Sequence, residues 1–278
     1  MALLLDQRGD EVPVTEEVVK AAAGNEENGM EVMALLLDRR GDKVSITEEV
    51  VRAAAQNRGK GKEVMALLLD RRGDEVSIIV EVVKAAARNG KNGKEVMELL
   101  LNRRGDEVSI TEEVVKAAAG NRGNGKEVMA LLLHRSLLTR SFISSAVLRI
   151  AAACGQLDIL RFLSRQACIV TVQEEDFAIA RLYNAAASGT TTTVKELLQT
   201  GTPPDTQNIW GMTPLWIAAA HGHEQVVRLL LTTNKVSTIS ETTIRNAPYT
   251  RPSYDQGDTA LMVARKNRYN RIAESLEQ

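Results

Sequence analysis

Cysteine is almost missing: the 278 residues hold two, Cys154 and Cys168. A small disulfide-stapled scaffold needs more, so the pair reads as reduced thiols in a cytoplasmic or nuclear protein. Cys154 closes the run Ala151-Ala152-Ala153 and fits a small buried residue. Aromatic residues supply only 3% of a chain that is 44% apolar. Its core must therefore be built of Leu, Val, Ala and Ile, which suits thin layers of small helices better than a thick sandwich. No apolar run approaches the roughly 18 residues that a membrane-spanning helix requires. The opening Met-Ala-Leu-Leu-Leu-Asp lacks the basic start of a secretion signal. Nor is there an excess of either charge, the formal net value being −1. Binding to nucleic acid or an anionic membrane normally leaves a large basic excess, so neither is expected as a partner.

What the chain has is repetition. Met1, Met33, Met65, Met97 and Met129 recur every 32 residues, and each opens nearly the same phrase. From Met33 the phrase reads Met-Ala-Leu-Leu-Leu-Asp-Arg-Arg-Gly-Asp, then Lys43-Val44-Ser45-Ile46-Thr47-Glu48-Glu49-Val50-Val51-Arg52-Ala53-Ala54-Ala55. A Gly/Asn/Lys-rich break and Glu63-Val64 lead into Met65. Such self-similarity at a fixed short period is the signature of a repeat architecture.

Each unit reads as two short helices. The first spans about Thr47 to Asn57, with Val50, Val51, Ala54 and Ala55 on one stripe and Glu48, Glu49 and Arg52 outside it. Ser45-Ile46-Thr47-Glu48 fits a capping box, and carboxylates in the first turn suit the helix dipole. In the third copy Ile79-Val80 replaces Thr-Glu, which predicts a weaker cap. The second helix spans about Lys62 to Arg72, buries Val64, Met65, Leu68 and Leu69, and is placed to stop at Gly73. The short segment around Val76 fits a turn projecting between successive pairs. A pair of such helices cannot bury its apolar stripe alone, but stacked copies cover one another. The period alone therefore predicts an all-α solenoid of helical hairpins.

The second half is more diverged, and its best-formed unit runs Asn208-Ile209-Trp210-Gly211-Met212-Thr213-Pro214-Leu215-Trp216-Ile217-Ala218-Ala219-Ala220-His221-Gly222-His223-Glu224-Gln225-Val226-Val227-Arg228-Leu229-Leu230-Leu231. Thr213 suits a helix cap, Pro214 the first helical position and Gly222 the close. This stretch resembles an ankyrin repeat, with Trp216 where that family usually has His. Gly257-Asp258-Thr259-Ala260-Leu261-Met262-Val263-Ala264 resembles a further, terminal repeat. Leu148–Leu163 and Asn184–Leu198 resemble two more. In the first half, Lys-Glu-Val-Met-Ala-Leu-Leu-Leu and Gly-Asp-Glu-Val are similar to the second helix and following turn of the family. There the Thr-Pro-Leu-His box is replaced by Ile-Thr-Glu-Glu-Val-Val, and the break between helices is about three residues longer. These near-identical units are similar to degenerate ankyrin-like arrays of large fungal proteins, some of which follow a nucleotide-binding NACHT-type module.

The resemblance implies an ankyrin-type solenoid of about eight or nine repeats. The near-identical ones occupy 1–140 and the diverged ones 141–278, with a long finger loop at about 232–257. It implies a non-catalytic scaffold that binds a protein partner through its finger turns and concave face. The alternative is the sensor or regulatory tail of a NACHT-type switch protein without its catalytic module. Met1 falls inside a second helix, so the array is expected to be a monomer or a piece of a longer chain.

Chemistry is scarce. Four Arg-Gly-Asp triplets, at Arg8, Arg40, Arg72 and Arg104, could be adhesion ligands but read as a helix end and turn repeated with the unit. His134, His221 and His223 are the only histidines and lack metal-ligand spacing. The Glu-Glu pairs start helices, where nothing desolvates them for acid–base work. No phosphate-binding loop occurs, so no cofactor, metal or catalytic residue is expected. Gly59-Lys60-Gly61-Lys62 and its relatives read as solvated loops that, once aligned, would form a weak basic ridge. Partner-binding candidates are Arg245, Tyr249, Arg251 and Tyr254 in the long finger, and Trp210 at a finger tip, where it either faces a partner or packs on the neighbouring finger.

Overall fold

The computed structural model describes residues 13–41, 43–135, 141–166, 170–243, 252 and 254–277. Among them are sixteen α-helices and no β-strand. The chain divides into two compact units, residues 1–143 and 144–278.

The first unit holds four helix pairs: α1 (Glu16–Gly24) with α2 (Gly29–Arg40), α3 (Glu48–Gln56) with α4 (Gly61–Arg72), α5 (Val80–Arg88) with α6 (Gly93–Arg104), and α7 (Glu112–Gly120) with α8 (Gly125–Arg135). Each helix packs on its pair-mate and on the equivalent helix of the next repeat, so α1, α3, α5 and α7 form one row and α2, α4, α6 and α8 another. The first-helix row is the tighter, because alanines such as Ala54, Ala55, Ala86 and Ala87 let the backbones approach. Val50, Val51, Ala54, Ala55, Val64, Met65 and Leu68 are completely buried, as their spacing predicted, whereas Leu69 is half-buried. A buried Val or Leu contributes about 1.5–3 kcal/mol, and the neighbouring repeat shares in that burial.

Two local expectations fail. The helix cap is Thr47 rather than Ser45: buried Ile46 holds the segment extended, and Thr47 (φ −81°, ψ 166°) makes no side-chain cap bond. Its Oγ1 instead donates to Glu16 Oε1 of the preceding repeat at 2.6 Å. Ile79 in the third copy consequently forfeits no cap, and α5 starts at the matching position, Val80. The end of α4 falls where expected, at Arg72 with Gly73 as the C-cap, although Gly73 has φ −52° and ψ −38° and leads into a 3₁₀ turn, Gly73–Glu75.

A buried asparagine ladder joins the repeats. Asn57 Nδ2 donates to Ala23 O and Asn25 O at 2.9 and 2.8 Å, Asn89 Nδ2 to Ala55 O and Asn57 O, and Asn121 Nδ2 to Ala87 O and Asn89 O. Each Oδ1 accepts two backbone N–H groups of its own turn, such as Gly59 N and Lys60 N for Asn57. One amide thus satisfies the orphan carbonyls at the end of one first helix and shapes the next turn. The turns it registers touch backbone to backbone: a Cβ on Gly59 would lie 1.9 Å from Glu26 O, and one on Gly123 1.8 Å from Gly90 O.

The second unit also holds four pairs: α9 (Ser145–Ala153) with α10 (Leu157–Leu163), α11 (Glu174–Ser188) with α12 (Thr191–Gln199), α13 (Pro214–Ala220) with α14 (Glu224–Leu231), and α15 (Ala260–Lys266) with α16 (Asn270–Leu276). Its core gathers Leu215, Trp216, Val226, Val227 and Val263, with Tyr183 from the preceding repeat. Cys154 is a buried thiol, and Cys168 lies outside the described residues.

Candidate functional site

The long connection between α14 and α15 departs most from the repeat, and its base is well fastened. Ser237 N donates to Asp205 Oδ1 at 3.0 Å, Gln207 Nε2 to Ser240 Oγ at 3.0 Å, and Thr243 N to Trp210 O at 2.8 Å. The outgoing and returning chains are tied together by Thr242 N to Asp258 O and Gly257 N to Thr242 O, at 3.1 and 2.7 Å. Ser240 and Thr242 are buried in this stem, whereas Ile239 between the two contacts is 80% exposed. Gly211, at φ +76°, allows the approach, since a Cβ there would lie 2.1 Å from Glu241 O.

On the returning side, Asp258 is the anchor. Lys266 Nζ bonds both its carboxylate oxygens at 2.7 Å and reaches Asp255 at 2.7 Å. Burial opposes the Lys266 ammonium, but those two carboxylates outweigh it and raise its pKa. The Asp258 carbonyl accepts from Trp216 Nε1 at 2.8 Å. Trp216 therefore carries a ring N–H bond to the next finger from the depths of the core, being 1% exposed.

Of the residues expected to meet a partner, Trp210 is half-buried, with its ring packed on the apolar core. Tyr254 packs edge-on against Trp216, with ring centroids 5.1 Å apart, and burial raises its phenol pKa. Both hold the finger to its repeat. Arg245, Tyr249 and Arg251 lie outside the described residues. Exposed Ile239 carries no mark in the sequence, because an isolated apolar residue in a loop has no periodicity.

Family models match both units. Residues 182–277 match ankyrin repeats (3 copies), and 3–33, 35–65, 67–97 and 99–129 match four copies of a domain of unknown function, DUF7104. Residues 182–277 are thus ankyrin repeats, and the stacked helix pairs of both units are consistent with an ankyrin-like repeat protein. No curated protein matches it. Ankyrin repeats are in general modules of protein–protein interaction and are generally non-catalytic.

In the ankyrin unit the histidines serve the turns. His221 Nδ1 lies 2.9 Å from Ile217 O, and His223 Nε2 lies 3.0 Å from Ala187 O of the preceding repeat. His134 is exposed in the last turn of α8. Among the described residues no group of three or more His, Cys, Asp or Glu could hold a metal ion, and no helix is long and apolar enough to cross a membrane. Two of the Arg-Gly-Asp arginines are staples between repeats: Arg72 donates to Gly41 O and Val44 O and grips Glu75, while Arg104 donates to Gly73 O and grips Glu107; Arg8 lies outside the described residues. The Arg104 guanidinium holds the Glu107 carboxyl below its ordinary pKa.

Proposed function

We propose that the protein is a non-catalytic interaction scaffold in the cytoplasm, whose ankyrin unit docks a protein partner on the finger between α14 and α15. The supporting observation is the fastened stem, which spends buried polar contacts on both chains and leaves Ile239 bare. A stem so anchored lowers the ordering cost of binding. It carries the segment with Arg245, Tyr249 and Arg251, residue types favoured at binding hot spots. In this reading Trp210 and Tyr254 are positioning residues rather than contacts.

The test is affinity capture from native cells with the full chain, beside a variant combining Ile239→Asp with residues 244–251 replaced by an equally long Gly-Ser linker. Specific partners should fall by about thirtyfold, roughly the loss of one hot-spot contact, with helical content and melting unchanged. Capture that survives the change rules out the finger.

A further inference from the structure

Cations in the first unit fall into two groups. Along the helix faces and finger ends most are paired: Lys20 with Glu49, Arg71 with Asp38, Arg103 with Asp70, and Lys116 with Glu113. On the edge formed by the turns between paired helices five are not. Arg58 and Lys60 on one turn, Lys62 at the start of α4, Lys91 on the next turn and Lys126 at the start of α8 have no carboxylate within 4.0 Å among the described residues, and all but Lys60 are exposed, whereas Lys94, at the matching position of α6, pairs with Glu98. These turns are rigid, because the asparagine ladder fixes each against its neighbour and the glycines bring their backbones into contact. The glutamates of this edge are Glu63, Glu95 and Glu127, and Glu95 has one carboxylate oxygen buried. The first described turn breaks the pattern by carrying Glu26 and Glu27, so the basic file has a definite end.

We propose that this file of unpaired cations is a docking edge for an extended acidic segment of a partner protein. The turns that bear the charges are held one repeat apart, so only the side chains need be ordered, and an extended chain can lay carboxylates along them in single file. A nucleic acid fits less well. No aromatic residue stands on these turns for bases to stack on. A broad polyanion would also overlap Glu26 and Glu27, and the chain as a whole bears no basic excess. This edge is independent of the finger proposed above.

The experiment uses the full chain and a fluorescein-labelled oligo-glutamate peptide, followed by fluorescence polarisation at low and physiological salt. One variant carries Arg58→Glu, Lys62→Glu and Lys91→Glu. A charge-matched control carries Arg165→Glu, Lys195→Glu and Lys235→Glu, on exposed residues of the second unit. Circular dichroism melting checks that both remain folded. Peptide affinity should fall at least about tenfold in the first variant, stay within about twofold in the control, and weaken with salt. Equal losses in both variants would reduce the effect to overall charge and overturn the proposal. So would an oligonucleotide of the same charge that binds more tightly than the peptide, or a wild-type chain that binds no peptide.

Discussion

Both units must solve one problem at every repeat, the carbonyls left over where the first helix ends, and they solve it with different residues. In the first unit a buried asparagine reaches back to two carbonyls of the preceding repeat. In the second, glycines at φ +73°, +75° and +79° (Gly155, Gly189 and Gly222) close the helices, and a side chain of the next repeat covers each: Asn184 on Gly155 O, His223 on Ala187 O, the Tyr269 ring against Gly222. The reach-back is shared, while the residue that makes it is free to differ. The turns between paired helices differ less than the sequence implied, four residues at 57–60 against three at 221–223.

The sharpest way to break this comparison is to delete the reaching side chain in each unit. Asn89→Ala removes two donors to buried carbonyls and strands Lys91 N and Asn92 N. It should cost about 3 kcal/mol, since several buried groups lose partners together. His223→Ala removes one half-exposed contact and should cost about 1 kcal/mol. Denaturant unfolding followed by circular dichroism checks both, and equal losses would mean that the two devices carry equal loads.

Glycine substitutions come next. Gly123→Ala keeps an ordinary backbone but drives a Cβ into Gly90 O, so overpacking should cost about 2 kcal/mol. Gly201→Ala meets open space and suffers only from φ +86°, about 1 kcal/mol. If Gly123→Ala proves the milder in thermal melts, the turns of the first unit are not in tight register.

Much of the fold was legible because its signals are periodic. Val50, Val51, Ala54 and Ala55 announced their buried face by spacing alone, and Thr213-Pro214 announced the start of α13. The asparagine ladder was equally visible as Asn25, Asn57, Asn89 and Asn121, 32 residues apart, yet a Gly/Asn/Lys-rich segment reads as a solvated break until its carbonyl partners are known. Capping went wrong at Ser45 because propensity favours a hydroxyl there, while burial of Ile46 decides the backbone. The finger was legible in length but not in direction, since nothing in the sequence says that Trp210 and Tyr254 turn inward.

Caps give a smaller contrast. Thr213 Oγ1 accepts from Trp216 N at 3.1 Å, so Thr213→Ala should cost about 1 kcal/mol. Thr47 makes no cap bond, only an exposed one to Glu16. Thr47→Ala should therefore cost less than about 0.5 kcal/mol, as exposed substitutions usually do. Parallel melts of the two variants measure the difference, and an equal drop would mean that the Thr47 side chain supports its helix as strongly as that of Thr213.

The smallest effect is electrostatic. The Lys20 hydrogen bond, reaching across a repeat boundary, is the main reason that the Glu49 carboxyl titrates below its ordinary value, with Arg52 assisting. A carboxylate whose folded pKa is depressed adds stability above its unfolded pKa, and that contribution disappears as pH falls through the folded value. Lys20→Met should move the Glu49 midpoint upward in an NMR titration and narrow the acid window in which the first unit loses stability. Raised salt should mimic the change in the wild type, because the pair is exposed and screened. An unmoved midpoint in Lys20→Met would leave Arg52, within the same helix, as the partner that matters, and the ion pair between repeats would then be incidental to the stacking of the first unit.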